Sequence, residues 1–166
     1  MHEDSEFTSL VAQLAKLCEA RELQVVTAES CTGGWIAKVL TDRAGSSAWF
    51  ERGFVTYSNT AKQDMLGVDA ALLDDPGAVS REVAEAMARG ALARADADLA
   101  VAVSGIAGPD GGSEDKPVGT VWFAWACGAE LRSACECFEG DREAVRRATV
   151  KLALQGLVYS AGNGRE

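Results

Sequence analysis

The run LAVAVSG, residues 99–105, constrains the fold more than any other stretch. A half-wet strand alternates apolar and polar residues, but this run is apolar on both faces until Ser104. It reads as a central strand covered on both sides, which requires a layer of helices above and below it. The remaining pattern agrees. Phe7, Leu10, Val11, Leu14, Leu17 and Cys18 fall at helical spacing and predict an amphipathic helix over residues 5–20. Leu23 to Thr27 reads as a short buried strand. WIAKVLTDR, 35–43, follows two glycines as a helix.

AGSSAWF reads as a loop, and GFVTYS, 53–58, as a strand ending at Tyr57. Asn59 is placed to cap a short helix over NTAKQDMLG. DDPG is a turn signal. Ser80 can cap a helix whose stripe is Val83, Ala84, Met87, Ala88, Ala91 and Leu92. Past the central strand come the glycine-rich stretch GIAGPDGGSEDKP and the strand VGTVWFAWAC. A Gly128-Ala129 turn then leads to its hairpin partner LRSACECF. Asp141 can start a last helix carrying Val145, Ala148, Leu152 and Leu157. The order α-β-α-β-α-α-β-β-β-α predicts a single three-layer α/β/α domain over residues 1–166 with a mixed sheet. No linker or internal repeat interrupts it.

Composition narrows the chemistry. A formal charge of −9 over 166 residues argues against a nucleic-acid surface, while leaving room for a small anionic ligand held by a few local cations or amide groups. The acidic start MHEDSEF lacks the pattern of a secretion signal, and no apolar run is long enough for a membrane helix. The expectation is a cytoplasmic protein with no membrane contact and reduced cysteines. The cysteines are Cys18, Cys31, Cys127, Cys135 and Cys137. Cys135 and Cys137 would share a strand face, but no second ligand pair of zinc spacing accompanies them. The lone histidine, His2, lies near a chain end expected to fray. Serine or cysteine triads that rest on an internal imidazole are therefore excluded. Any nucleophile must be activated by lysine, tyrosine, a carboxylate or backbone dipoles.

Four stretches carry candidate chemistry. In TAESCTGG, 27–34, a strand gives way to a helix start, where unpaired N–H groups concentrate positive potential. Ser30 is a candidate nucleophile there, with Thr32, Gly33 and Gly34 as candidate oxyanion donors. Equally, Ser30 or Thr32 could cap the helix, and Cys31 could be the nucleophile or a buried structural thiol. SGIAGPDGGSEDKPVG, 104–119, could cradle a phosphate through backbone amides or serve as a wide turn; it matches neither a Walker A nor a dinucleotide fingerprint. YSNTAK, 57–62, pairs a tyrosine with a lysine that desolvation could turn into a base, or that could simply be exposed. GDREAVRR, 140–147, sets Arg142 and Arg146 on one helix face, available to an anion or to solvent.

Taken together, TAESCTGGWIAKVLTDRAGSSAWFERGFVTYSN, GAVS, SGIAGPDGGSEDKPVGTVWFA and ECFEGDREAVRR resemble the C-terminal domain family of the CinA (competence/damage-inducible) proteins. Within that family the chain is most similar to the stand-alone bacterial nicotinamide mononucleotide deamidases. The N-terminal molybdopterin-binding-like domain of the longer relatives has no counterpart here. The resemblance implies hydrolysis of nicotinamide mononucleotide to nicotinate mononucleotide and ammonia in pyridine nucleotide salvage, without metal or cofactor. It points to Ser30, Tyr57 and Lys62 as catalytic residues. Glu29, Thr32, Gly33, Gly34, Ser104, Gly105, Gly108 and Arg146 would bind substrate, with Arg146 and the 105–112 loop on the phosphate. Glu29 activating water directly, without an acyl-enzyme, remains a second route. A non-catalytic nucleotide- or partner-binding domain remains a second class. A homodimer is the expected assembly.

Overall fold

The computed structural model describes residues 2–164, with side chains from residue 5 onward, so the side chain of His2 lies outside the described residues. Six helices and five strands follow one another along the chain. They are α1 (His2–Arg21), β1 (Val25–Glu29), α2 (Trp35–Thr41), β2 (Phe50–Val55), α3 (Asn59–Leu66), α4 (Ala70–Leu72) and α5 (Arg81–Arg94). Then come β3 (Leu99–Gly105), β4 (Thr120–Cys127), β5 (Glu130–Cys137) and α6 (Arg142–Asn163). The strands form one mixed sheet in the order β2-β1-β3-β4-β5. β2, β1 and β3 run parallel, and β4 and β5 return antiparallel.

LAVAVSG is the central strand, and its sequence explains the two layers. Leu99, Val101 and Val103 point to one face, where Val25, Phe123 and Trp125 join them under α1, α2 and α6. Ala100 and Ala102 point to the other, with Ala28, Ala124 and Ala126 beside them. This alanine face is shallow, and it receives α5 through Val83, Ala84, Met87, Ala88 and Ala91. Large side chains thus face three helices and small ones face one closely packed helix, which fills both layers to interior density.

Several boundaries differ from the expectation for physical reasons. β1 runs two residues later than Leu23 to Thr27, because Leu23 N–H still bonds back to α1 at Cys18 O. β2 runs three residues earlier than 53–58; parallel pairing with β1 ends at Val55, and Tyr57 lies beyond the strand. Ser58 caps α3, with its hydroxyl accepting from Ala61 N–H, while Asn59 is the first helical residue. On α6, Ala148 and Leu152 are only half-buried; Val145, Thr149, Val150, Ala153, Leu154 and Leu157 form the packed stripe. AGSSAWF holds one short 3-10 turn at Ser46–Ala48, and α4 was not anticipated. Ser80 and Asp141 cap α5 and α6 as expected, accepting from Val83 and Ala144 N–H.

β1 has β2 on one side and β3 on the other, so the chain leaves its carboxyl end in one direction and re-enters the sheet in the other. Open α/β sheets bind ligands at such switch points. Ser30 follows β1 directly and Ser104 is the last residue but one of β3, so the switch point falls between two of the four stretches that the sequence marked as chemical.

α6 can approach the sheet only because residue 156 is glycine: a Cβ there would overlap the Trp125 indole, whose Nε1 donates to Ala153 O at 3.1 Å. Gly156→Ala should lower the stability by roughly 1–3 kcal/mol through overpacking, read from denaturant unfolding.

Candidate active site

Glu29 ends β1 with its carboxylate fully buried, and it organises the whole turn. Its Oε1 accepts from Ile36 N–H at 2.9 Å and from the Thr32 hydroxyl, and its Oε2 accepts from Ala37 N–H at 3.0 Å. α2 has no cap from Gly34, which stands just before it with φ 104°. Glu29 supplies the missing acceptors from seven residues back, and its charge complements the positive end of the helix. The capping role weighed for Ser30 or Thr32 therefore belongs to Glu29. Thr32, itself fully buried, orients the carboxylate. This releases the Ser30 hydroxyl.

That hydroxyl meets Lys62. The Ser30 Oγ lies 2.9 Å from Lys62 Nζ, 32 positions along the chain. Lys62 projects from α3 into the interior and is 2% exposed. Its Nζ also reaches Thr56 O at 3.0 Å and Tyr57 O at 3.2 Å. Among the described residues no carboxylate is paired with it, and burial pulls the Lys62 pKa below its usual 10.5. Cys31, next to Ser30, is also buried, and desolvation pushes its thiol up to about 12. At neutral pH it is a protonated thiol, a poor nucleophile.

Ser30, Cys31, Tyr57, Lys62, Ser104, Gly105 and Arg142 line one cavity of about 200 Å³ together with Asn59, Ala78, Val79 and Ala107. Of the residues expected from sequence, Ser30, Tyr57, Lys62, Ser104 and Gly105 meet there. Ser104 is 1% exposed and donates to Ala78 O at 2.8 Å, leaving its oxygen free to accept. Tyr57 stands at the rim, 60% exposed.

Other expected residues lie off the wall. Gly33 N–H donates to Ser30 O at 3.1 Å and is spent on the turn. Thr32 and Gly34 sit behind the cavity, as Glu29 does. Gly108 touches the site only through its carbonyl, which accepts from Arg142 Nη1 at 2.8 Å. Arg146 is turned away. Its Nε and Nη2 donate to Cys31 O at 3.1 Å and Thr32 O at 3.0 Å, and its guanidinium stacks on Trp35. It clamps the serine turn to α6. Arg142, one turn earlier, faces the cavity instead and also donates to the Tyr57 hydroxyl at 3.1 Å. Helical spacing flagged both arginines but could not say which one looks inward. Asn59, Ala78 and Val79 carried no chemical signal in the sequence.

Comparison with known proteins identifies the family. The family model of the CinA C-terminal domain matches residues 7–160. The chain belongs to the CinA C-terminal domain family. Among its relatives, the nicotinamide-nucleotide amidohydrolase PncC of Escherichia coli K12 is 61% identical over 155 residues, 93% of this chain and 94% of that one. The crystal structure of the competence/damage inducible protein CihA from Agrobacterium tumefaciens superposes with a TM-score of 0.90 at 47% identity, over 93% of this chain and 94% of that one. The competence damage-inducible protein A (ComA) of Klebsiella pneumoniae gives a TM-score of 0.92 at 41% identity, over 96% and 99%. These relatives therefore share this three-layer fold. No described helix is long and apolar enough to cross a membrane.

Glu29→Ala should remove the acceptor of two N–H groups and one hydroxyl, costing roughly 1–3 kcal/mol of stability along with activity. Glu29→Gln turns an amide NH2 toward one of these donors, so it should also lower the melting temperature; a Glu29→Gln that melts like the wild type yet is inactive would instead make Glu29 the activator of water.

Proposed function

We propose that this protein is a nicotinamide-nucleotide amidohydrolase, releasing ammonia from nicotinamide mononucleotide through an acyl-enzyme on Ser30. The observation that carries the reading is the buried Lys62–Ser30 contact at 2.9 Å. The extent and identity of the match to the Escherichia coli enzyme support the substrate.

The contacts of Lys62 suit a base. An ammonium has three N–H donors and no acceptor. A neutral amine has two N–H donors and one lone pair. Thr56 O and Tyr57 O can only accept, so they take the two N–H groups of the neutral amine. The lone pair is left for the third neighbour, the Ser30 O–H, which alone of the three can donate. Burial without a counter-charge favours this neutral form.

Lys62 takes the Ser30 proton as Oγ attacks the carboxamide carbon. The C–O bond forms, and the carbonyl becomes an oxyanion. The N–H of Cys31, directly after the nucleophile and on the cavity wall, is the donor best placed to hold it. Lys62 then gives its proton to the amide nitrogen, the C–N bond breaks and ammonia leaves. Water attacks the ester, Lys62 accepts its proton, and Ser30 Oγ leaves and is reprotonated. Tyr57 holds its hydroxyl hydrogen free for the substrate, because Arg142 occupies its oxygen from outside. Glu29 is consumed by α2, which disfavours direct water attack from that side. The enzyme so read works as a single domain in the cytoplasm and as a homodimer, whose interface would cover exposed Val55, Met65 or Tyr159.

Purified protein should release ammonia from nicotinamide mononucleotide, and Ser30→Ala should reduce kcat by at least about 10³-fold, the scale of losing an activated nucleophile. Equal release by wild type and Ser30→Ala would exclude the acyl-enzyme, and no release by either would favour a binding module. The pH profile is a second test. Lys62 must be neutral to act, so kcat/KM should rise with pH through an apparent pKa below 10.5, and Lys62→Arg should abolish that limb with the activity.

A further inference from the structure

We propose that Arg142 reads the substrate's phosphate and thereby sets the preference for a mononucleotide over its riboside; the inference rests on the amidase reading above. The chain carries a formal charge of −9, so a phosphate monoester approaching it is repelled unless a local cation inverts the potential at the site. The cavity of about 200 Å³ is smaller than the space that usually encloses a whole ligand of nucleotide size. It accepts the carboxamide end, and the ribose phosphate must extend through the mouth past Tyr57.

Two cations line that cavity, Lys62 and Arg142. Lys62 is at the base, committed to Ser30. Arg142 is exposed at the rim. Its Nη1 donates to Gly108 O at 2.8 Å and its Nη2 to the Tyr57 hydroxyl at 3.1 Å, so the guanidinium is fixed between the glycine-rich loop and the tyrosine. A guanidinium has five N–H donors in a planar fork. Two are used here, which leaves three, Nε–H among them, for a phosphate. A cation already held in position loses little entropy when the anion arrives.

The other nearby cations are committed elsewhere. Arg146 is bound to two carbonyls of the serine turn and stacked on Trp35. Arg147 lies over Phe7 and Trp35. Lys116 donates to Pro76 O at 2.7 Å. The phosphate role that the family resemblance suggested for Arg146 thus moves one helical turn, to Arg142, the other arginine that helical spacing flagged.

The test compares kcat/KM for nicotinamide mononucleotide and for nicotinamide riboside in the wild type, Arg142→Gln, Arg142→Lys and Arg146→Gln. The wild type should prefer the mononucleotide. Arg142→Gln should shrink that preference by about 10- to 100-fold, the scale of a lost charge-assisted contact, chiefly through KM for the phosphorylated substrate. Arg142→Lys should restore part of it. Arg146→Gln should depress both substrates together and keep the ratio. An unchanged ratio in Arg142→Gln, or a collapsed ratio in Arg146→Gln, overturns the inference, as does a wild type that favours the riboside. Ammonia from neither substrate would sink the amidase reading itself. In that event calorimetric binding of nicotinamide mononucleotide decides for Arg142: affinity reduced at least about 10-fold in Arg142→Gln upholds the role, and equal affinity or no wild-type binding rejects it.

Discussion

Everything at this site depends on a lysine that the fold has taken out of water without giving it a carboxylate. Transferring an ammonium into an apolar interior costs several kcal/mol unless it is paired, and burial accordingly shifts Lys62 toward its neutral form. The protein supplies Lys62 with two carbonyls, which can only accept, and one hydroxyl, which can also donate to an amine lone pair once the proton is lost. The same hydrogen bonds fix the amine against Ser30, so basicity and geometry come from one arrangement. A histidine would ordinarily supply this function, and the chain has no internal one.

The lysine is useful only because the serine is free to meet it. Ser30 stands where a helix start would ordinarily recruit a hydroxyl as its cap. Glu29 takes that duty from the end of β1, with Thr32 bracing it, and Arg146 ties the turn's carbonyls to α6. The carboxylate thus serves structure in the middle of the most chemical-looking stretch of the sequence. Arg146 serves the turn in the same way, and Arg142 faces the cavity mouth. The charged residues here divide into those that build the turn and those that line the cavity.

The architecture was legible in the sequence wherever burial leaves a period behind. The double-sided apolar run at 99–105 predicted a covered central strand, and the hairpin around Gly128 predicted the antiparallel end of the sheet. Ser80 and Asp141 capped their helices as their positions suggested. The failures came where a distant partner decided the outcome. β1 extends to Glu29 because its backbone still pairs there with Val55 and Val103 of the neighbouring strands. β2 is placed by its parallel register with β1, which no local pattern encodes. Two arginines on one helix face look alike by spacing, yet one meets carbonyls and the other a cavity. Lys62 reads locally as an ordinary surface lysine; it is buried by long-range packing that brings its Nζ to Ser30 and to the carbonyls of Thr56 and Tyr57.

The central claim is that Lys62 is a neutral amine available to Ser30, and its protonation can be observed directly. A heteronuclear NMR titration of the lysine side-chain ε-methylenes, with the Lys62 signal assigned through Lys62→Arg, reports its pKa. The account predicts one lysine titrating below the usual 10.5, in the direction that burial imposes, and absent from the variant. A Lys62 that holds its proton up to or beyond 10.5 would contradict it, because Ser30 would then have no base within reach.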